Sequence, residues 1–372
     1  MYMDKSVKIS DIISEYNIDV KPAGLLKILP PIKTNEVCMI CGDNLYQKIE
    51  ARTAYSFESE QEDKFCLNCG HIEYANSGWG RKKCNCDGCK LISRIKYESK
   101  KNQIKKIYTK ERQKINFNEM ILADQVKLVY VLFNNTFHNT SQIAPMGVEG
   151  KWIEYLNRLI EIKAISVSPE SEVEAFCEED FPKRYYVGKV QYEVNVVFDE
   201  DVLRKINNNT YFLELNKDEE LVELFKDYIY DDLIVQYENM LENRRLQLHI
   251  SENANRRFIE LIDKISYTQI LALCHRVAVF FSDKVLIGDM TKGVAKNAAL
   301  LNVSKFYDRA VESEWNLYRA EIKYVGRELN FFVERVLNRD ISILDDVVSV
   351  QNLRSCSRRE IDYSNRIGQA ED

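Results

Sequence analysis

The sequence contains little proline, and none of it lies in the C-terminal half. The last of six prolines is Pro182, and neither proline nor glycine occurs from Lys189 to Ile287. Because both residues interrupt helices, this absence permits long helices. Apolar residues recur at helical spacing in three stretches: Leu221, Leu224, Phe225, Tyr228 and Ile229; Trp315, Tyr318, Ile322 and Val325; Leu329, Phe332, Val333 and Val336. The sequence therefore predicts an α-helical domain over residues 199–355.

Long apolar runs are also missing. No stretch of eighteen consecutive apolar residues occurs, which argues against a transmembrane helix. The segment from Met1 to Ser6 lacks the apolar core of a secretory signal. We therefore expect a cytoplasmic protein that has no membrane partner.

Common catalytic motifs are absent as well. The sequence has neither the Gly-x4-Gly-Lys-Ser/Thr loop of nucleotide hydrolases nor the Gly-x-Ser-x-Gly elbow of serine hydrolases. It has only four histidines, which limits the candidates for acid–base catalysis. We therefore lean towards a role that is not enzymatic.

Cysteine is plentiful and clustered. Seven of the ten cysteines lie between Cys38 and Cys89. Two Cys-x-x-Cys-Gly units begin at Cys38 and at Cys66, and paired thiols at this spacing reach one metal ion from a tight turn. We predict that the first zinc site consists of Cys38, Cys41, Cys66 and Cys69.

A second group of ligands follows closely. Cys84, Cys86 and Cys89 supply three thiols within six residues, and His71 lies just after the second Cys-x-x-Cys unit. Together they form a possible second zinc site, although one of these thiols could instead belong to the first site. Thiolates could also hold an iron–sulfur cluster. Four protein ligands leave no position for water, so we expect one or two structural zinc ions and no hydrolytic metal.

The paired Cys-x-x-Cys-Gly units resemble the zinc-ribbon group of folds. The resemblance covers Cys38 to Cys69 and implies a small β-structure between the knuckles. Leu45–Ile49 and Ala51–Phe57 are candidates for its strands.

Positive charge is concentrated after the cysteines. Between Arg81 and Lys114 there are thirteen Lys or Arg residues and three acids, while the whole chain has a net charge of −6. Such a stretch favours contact with nucleic-acid phosphates, although it is also compatible with a solvated helix. The predicted phosphate-binding residues are Arg81, Lys82, Lys83, Lys100, Lys101, Lys105 and Lys106.

Residues 117–198 resemble a winged helix in the order of their elements. Helices are expected from Leu122 to Phe133, at Gln142–Ala144 and from Gly150 onwards, and the segment from Trp152 to Ser168 is similar to a third helix that enters the first wing strand. The wing would be acidic, with Glu170, Glu172, Glu174, Glu178, Glu179 and Asp180. Since phosphates repel such a wing, we assign phosphate contacts to the basic stretch and protein contacts to this domain.

Arg244 and His249 resemble the Arg-x4-His motif of HEPN ribonucleases. In that family the two residues act on the 2′-hydroxyl and the scissile phosphate, so the resemblance implies RNA cleavage. The family prefers a polar residue such as Asn, Asp or His after the arginine, whereas this chain has Arg245.

We therefore expect a mainly α, multidomain protein with six parts. They are a lead-in segment (1–36), a zinc-ribbon module (37–90), a basic helical connector (91–116), a winged-helix-like α+β domain (117–198), an α-helical domain (199–355) and a flexible tail (356–372). The predicted role is that of a zinc-containing nucleic-acid-binding or adaptor subunit in transcription regulation or prokaryotic antiviral defence, with other subunits or a second copy as possible partners. The alternatives are the ribonuclease and a scaffold that binds only protein.

Overall fold

The protein is mainly helical, with a small antiparallel sheet near its N-terminus. The computed structural model describes residues 2, 4, 6–49, 63–74, 83–110, 112–135, 141–145 and 151–355. The chain divides into two compact units: unit 1 is Met1–Thr109 with Pro169–Arg184, and unit 2 is Lys110–Ser168 with Tyr185–Asp372. Among the helices in the described ranges, none has the length and apolarity needed to cross a bilayer.

Unit 1 combines a four-stranded antiparallel sheet with one long helix. The strands, which lie in sequence order, are β1 (Ile32–Val37), β2 (Asn44–Gln47), β3 (Lys64–Cys66) and β4 (Ile72–Glu73). The helices are α1 (Ile9–Glu15), α2 (Leu25–Ile28) and α3 (Asp87–Tyr108), with 3-10 turns at Pro22–Gly24 and Val173–Ala175. The predicted strand at Leu45–Ile49 is confirmed as β2, whereas the one at Ala51–Phe57 lies outside the described residues.

The core of this sheet lies beside the cysteine pairs. In the β2–β3 ladder Leu45 is the partner of Cys66, and Cys38 packs against both of these residues. All three side chains are buried, and Ile40 and Cys69 cover the cluster. An apolar residue in β2 therefore supports the thiols of both Cys-x-x-Cys units.

Unit 2 begins with short strands and two helices, and then becomes helical. Its strands are β5 (Ile115–Asn116), β6 (Gln142–Ile143), β7 (Ile165–Val167), β8 (Tyr192–Val194) and β9 (Val196–Val197). Its helices are α4 (Leu122–Phe133), α5 (Trp152–Glu161), α6 (Glu200–Asn207), α7 (Tyr211–Glu214), α8 (Asp218–Glu242), α9 (Glu252–Ile262), α10 (Tyr267–Leu286), α11 (Lys292–Glu312), α12 (Arg327–Phe331) and α13 (Val350–Ser355). A π-helical turn at Phe332–Val336 continues α12, and 3-10 turns lie at Phe117–Glu119 and Ile341–Asp345.

The first part of unit 2 is a three-stranded antiparallel sheet in the order β6-β8-β7. The short helix predicted at Gln142–Ala144 is wrong, because Gln142 and Ile143 form β6. Ile143 is fully buried and pairs with Tyr192 of β8, and the side chain of Asn135 bonds to the backbone on both sides of Ile143. These tertiary contacts satisfy the backbone, so a local helical turn offers no advantage.

The helices of the second part pack α8 against α10, α10 against α11, and α11 against α9. The helical spacing predicted in α8 and around Phe332 is confirmed, but the helix predicted from Trp315 to Val325 is wrong. That segment is irregular, since the Ala320 N–H donates to the carbonyl of Thr268 instead of to its own turn. Backbone hydrogen bonds to other elements thus replace the helical ones.

Candidate metal centres and charged surfaces

The first four cysteines meet at one point. The Sγ atoms of Cys38 and Cys69 are 3.5 Å apart, and so are those of Cys41 and Cys66. A tetrahedral zinc–thiolate site has an edge of about 3.8 Å, whereas a disulfide bond is about 2.05 Å long. The spacing therefore suits a single metal ion, and none of the described cysteines forms a disulfide.

Both Cys-x-x-Cys-Gly turns use the same backbone hydrogen bonds. The N–H of the first cysteine donates to the carbonyl five residues later, at 2.6 Å for Cys38 and 2.8 Å for Cys66. The glycine N–H donates to the carbonyl of the first cysteine, at 2.9 Å for Gly42 and 3.1 Å for Gly70. These glycines have φ values of 75° and 68°. Glycine is needed here because other residues adopt this left-handed conformation at a cost.

The second cluster consists of His71, Cys84, Cys86 and Cys89. The Nδ1 atom of His71 is 3.2 Å from the Sγ of Cys89 and 3.9 Å from that of Cys86. These distances lie on either side of the nitrogen–sulfur edge of about 3.6 Å expected in a zinc site. In each cluster all four ligand atoms lie within 4.8 Å of one another. This spacing suits one ion better than a polynuclear cluster, which would separate the ligands.

The thiols of the second cluster differ in acidity. Burial acts to raise the pKa of Cys84, but the N–H groups of Cys86 and Ile72 lower it more strongly, to about 6. Burial and the neighbouring thiols raise the pKa of Cys89 to about 12. The first cluster behaves similarly, because burial raises the pKa of Cys69 to about 12. In each cluster at least one thiol therefore resists losing its proton beside its neighbours. A bound cation would stabilise the thiolates, so both clusters suit a metal ion.

His71 belongs to both clusters. Its ring faces the second set of thiols, and its carbonyl accepts the N–H of Cys66 in the first set. The Nε2 atom is buried and makes no hydrogen bond within the described residues, but a carboxylate oxygen of Glu73 lies 3.8 Å away. Metal-binding histidines usually have such an outer partner on the second ring nitrogen. No role was predicted from the sequence for Glu73, although it lies only two residues after His71.

The two clusters also contact each other through Gly88. This residue lies in the first turn of α3, between the thiols of Cys86 and Cys89. A Cβ atom added to Gly88 would overlap with the Cγ2 methyl of Ile40, which lies within the first Cys-x-x-Cys unit. The start of α3 can therefore approach the first cluster only because residue 88 has no side chain.

Helix α3 carries most of the predicted phosphate-binding lysines, and three of them are paired. Lys100 binds both carboxylate oxygens of Glu178, at 2.6 and 2.8 Å. Lys101 lies 3.4 Å from Glu172 and also donates to two backbone carbonyls, and Lys105 lies 3.2 Å from Glu170. The acidic partners all come from Pro169–Arg184, which we call the acidic segment.

Other contacts hold the acidic segment on α3. The Tyr108 hydroxyl donates to the carbonyl of Pro182 at 2.9 Å, and its ring packs against the buried Phe176. Tyr97 donates to Glu172 at 2.6 Å. This hydrogen bond raises the pKa of Tyr97 to about 12 and lowers that of Glu172. The acidic segment is therefore packed on the helix as well as attracted by its charge.

The remaining predicted lysines differ in their surroundings. Lys83 and Lys106 are exposed, as are Arg94 and Lys96 of α3, and these four cations form no ion pair within the described part of the chain. Arg81 and Lys82 lie outside the described residues. Helix α3 therefore carries three lysines that face acids of its own chain, and three other cations, Arg94, Lys96 and Lys106, that have no ion-pair partner among the described residues.

Two cations, Arg158 within α5 and Lys151 directly before it, form ion pairs inside unit 2. Arg158 binds the buried Asp124 through two hydrogen bonds of 3.0 Å, and Lys151 pairs with Asp231. In the predicted winged helix, α5 would be the helix that reads DNA. Its internal ion pairs leave those cations committed to the fold.

Arg244 and His249 lie in the turn after α8 and the irregular chain that follows it. The guanidinium of Arg244 donates to the Met240 carbonyl and lies 3.4 Å from Nε2 of His275, while His249 is exposed. The contacts of Arg244 that the structure describes therefore lead to a different histidine. The ribonuclease stays a prediction.

Unit 2 also contains a cavity of about 350 Å³, bordered by α5, α8 and the start of α12. Its buried carboxylate, Asp232, accepts hydrogen bonds from the Tyr267 hydroxyl at 2.6 Å and the Gly326 N–H at 2.7 Å. The hydroxyls of Tyr155 and Tyr228 bond to each other at 3.3 Å. Because these polar groups satisfy one another, we interpret the cavity as structural.

No protein-family model, no curated protein and no solved structure matches the chain.

Proposed function

We propose that the chain is a zinc-stabilised nucleic-acid-binding or adaptor subunit of a DNA- or RNA-handling assembly. The observation that carries the proposal is the pair of adjacent four-ligand clusters, the second of which continues directly into the basic helix α3. Each cluster has a complete set of protein ligands, so zinc would build the fold and position α3. The module would then present a helix to its partner.

Nucleic acid is the partner that the charges on α3 favour. Lys83, Arg94, Lys96 and Lys106 are exposed and form no described ion pair, so phosphate oxygens could reach them without displacing a side chain. Phosphate contacts supply most of the affinity in binding that does not depend on sequence. We therefore assign phosphate binding to these four residues before any other cations.

The first part of unit 2 supports an adaptor role. The elements α4, β6, α5, β7 and β8, with the strand order β6-β8-β7, are similar to a winged helix. Arg158 of α5 and Lys151, which directly precedes α5, are paired with Asp124 and Asp231. We propose that this part is a winged-helix-like domain that contacts protein, either another subunit or a second copy of the chain.

Metal content is the first test. The purified protein should contain two zinc ions per chain by elemental mass spectrometry, and a strong chelator should release both with loss of folded structure. Finding one ion would remove the second site, and finding none would overturn the zinc proposal.

Nucleic-acid binding is measured by gel shift with duplex DNA, single-stranded DNA and RNA over a series of salt concentrations. Replacing Lys83, Arg94, Lys96 and Lys106 by Gln should weaken binding and lower the slope of log affinity against log salt by roughly 3. The matched control replaces four exposed cations of unit 2 by Gln: Lys163, Lys292, Lys305 and Lys323. The control changes net charge equally and should keep the slope of the native protein.

Three results would change the assignment. An equal effect of both sets of substitutions would show that net charge, and not α3, drives binding. Absence of any shift at low salt would leave the scaffold that binds only protein. Shortened RNA on a denaturing gel, abolished by His249→Ala, would favour the ribonuclease.

A further inference from the structure

The acidic segment occupies positions on α3 that phosphate groups would otherwise take. Lys100, Lys101 and Lys105 lie along one side of the helix and each meets a different glutamate of the segment. Glu170, Glu172 and Glu178 present their carboxylates to this side, as a nucleic-acid strand presents its phosphates. The match is one of charge.

The segment holds these carboxylates in place without depending on the ion pairs alone. Ser171, Ala175 and Phe176 are buried, so the backbone between the three glutamates is fixed by packing. The glutamates themselves are exposed, with 85% of the Glu178 side chain open to solvent. Exposed ion pairs are individually weak, so a phosphate can compete with each of them.

We propose that the acidic segment is an internal competitor for nucleic acid, which keeps the Lys100–Lys105 face of α3 from binding phosphates. This inference rests on the proposed function, because it concerns the same helix. A segment of the same chain acts at an effective concentration on the order of millimolar, so a nucleic acid present at micromolar concentration must displace it against a large excess. Binding in the native protein is then left to Lys83, Arg94, Lys96 and Lys106, which form no ion pair within the described residues.

Neutralising the three glutamates tests the proposal. The variant Glu170→Gln, Glu172→Gln, Glu178→Gln frees three lysines and retains the buried residues of the segment. Its affinity for nucleic acid should increase about tenfold and its salt slope should steepen by about 3. It should also elute from immobilised heparin, a general polyanion, at higher salt than the native protein.

The acidic segment supplies its own control. Glu174, Glu179 and Asp180 are exposed acids of the same segment, and none of them pairs with a described lysine of α3. The variant Glu174→Gln, Glu179→Gln, Asp180→Asn removes the same amount of charge and should leave both measurements near the native values. Circular dichroism and zinc content check that each variant is folded. If the triple variant unfolds, the single variant Glu178→Gln, which frees Lys100, tests the same proposal.

The outcomes separate this inference from the proposed function. Equal effects of both triple variants, or unchanged heparin elution of the first, would overturn the internal competitor even if the native protein binds nucleic acid. Later heparin elution of the first variant alone, without nucleic-acid binding by any variant, would support the competitor as a mask against polyanions and overturn the proposed function.

Discussion

Gly88 lies between two cysteines of the second cluster, but adding a methyl group to it should disturb the first cluster. In Gly88→Ala the new Cβ overlaps with the Cγ2 methyl of Ile40, in the first Cys-x-x-Cys unit. Ile40 is β-branched and packs against the buried core of Cys38, Leu45 and Cys66, so it has little freedom to move away. The strain should therefore reach the first cluster.

The expected loss of folding stability in Gly88→Ala is the difference between two opposing effects. Overpacking of this kind costs about 1–3 kcal/mol. Alanine improves on glycine within a helix by up to about 1 kcal/mol, which offsets part of that cost. The overlap with Ile40 is severe, so we place the cost in the upper part of that range, at about 2–3 kcal/mol, which leaves a net destabilisation of about 1–2 kcal/mol after the offset. Because metal binding and folding are linked in such modules, this corresponds to a loss of zinc affinity of roughly 5- to 30-fold.

Competition with a chromophoric zinc chelator measures the effect, and Gly293→Ala is the matched control. Gly293 also occupies the second position of a long helix, α11, but a Cβ atom there meets nothing closer than 4.0 Å. Its substitution should leave zinc affinity unchanged. Ile40→Ala should restore part of the loss when combined with Gly88→Ala, giving a coupling energy of about 1–3 kcal/mol. Additivity within about 0.5 kcal/mol, or native affinity in Gly88→Ala, would refute the contact.

Three further predictions concern other parts of the molecule. His71→Ala should lower zinc content from two ions to one or fewer, whereas His71→Cys should retain two. The cobalt-substituted His71→Cys protein should show the absorption of two all-thiolate sites. A spectrum identical to that of the cobalt-substituted native protein would argue against His71 as a ligand. Arg158→Gln should destabilise unit 2 in urea unfolding, because the buried carboxylate of Asp124 loses two hydrogen bonds and keeps only the more distant Lys127 as a cationic neighbour. Adding Asp124→Asn should recover most of this loss, and no recovery would contradict the assigned cause. Burial raises the pKa of Asp232 above its ordinary value of 3.8, so the folded state holds this proton more tightly than the unfolded state does. The protonated group therefore contributes its full stability below pH 3.8, and this stability is lost as pH rises through the folded-state pKa. Relative to the native protein, Asp232→Asn should therefore gain stability as pH rises from about 4, and a difference that does not vary with pH would refute this.

Both clusters of candidate metal ligands could be predicted because their residues are close in the sequence. Two residues separate Cys38 from Cys41, and this short spacing is itself the geometric requirement of the turn. His71 was identified because three thiols needed a fourth ligand. The structure brings all eight ligand atoms into two groups of four, although the sequence could not show that Gly88 joins them through Ile40.

The charged surface could not be predicted in the same way. Lys100 and Glu178 are 78 residues apart, and composition alone places them in separate domains. A run of lysines has the same pattern whether it faces solvent, phosphate or an acidic segment of its own chain. Similarly, the spacing of Trp315 and Tyr318 is typical of a helix. The backbone between α11 and α12 is nevertheless irregular, because its N–H groups donate hydrogen bonds to Thr268 and Asp232 instead of to a helical turn.

Unit 1 is discontinuous in the sequence, and this has a consequence for how the protein is made and divided. Its last part, the acidic segment, is synthesised only after residues 110–168 of unit 2. During synthesis, and in any fragment that ends at Thr109, the module has all eight cysteine and histidine residues of the two clusters but lacks the acids that cover Lys100–Lys105. The nascent chain is therefore more basic at its surface than the finished one. If the acidic segment competes with polyanions as proposed, a fragment prepared as a minimal zinc module would overstate the affinity of the whole protein for them.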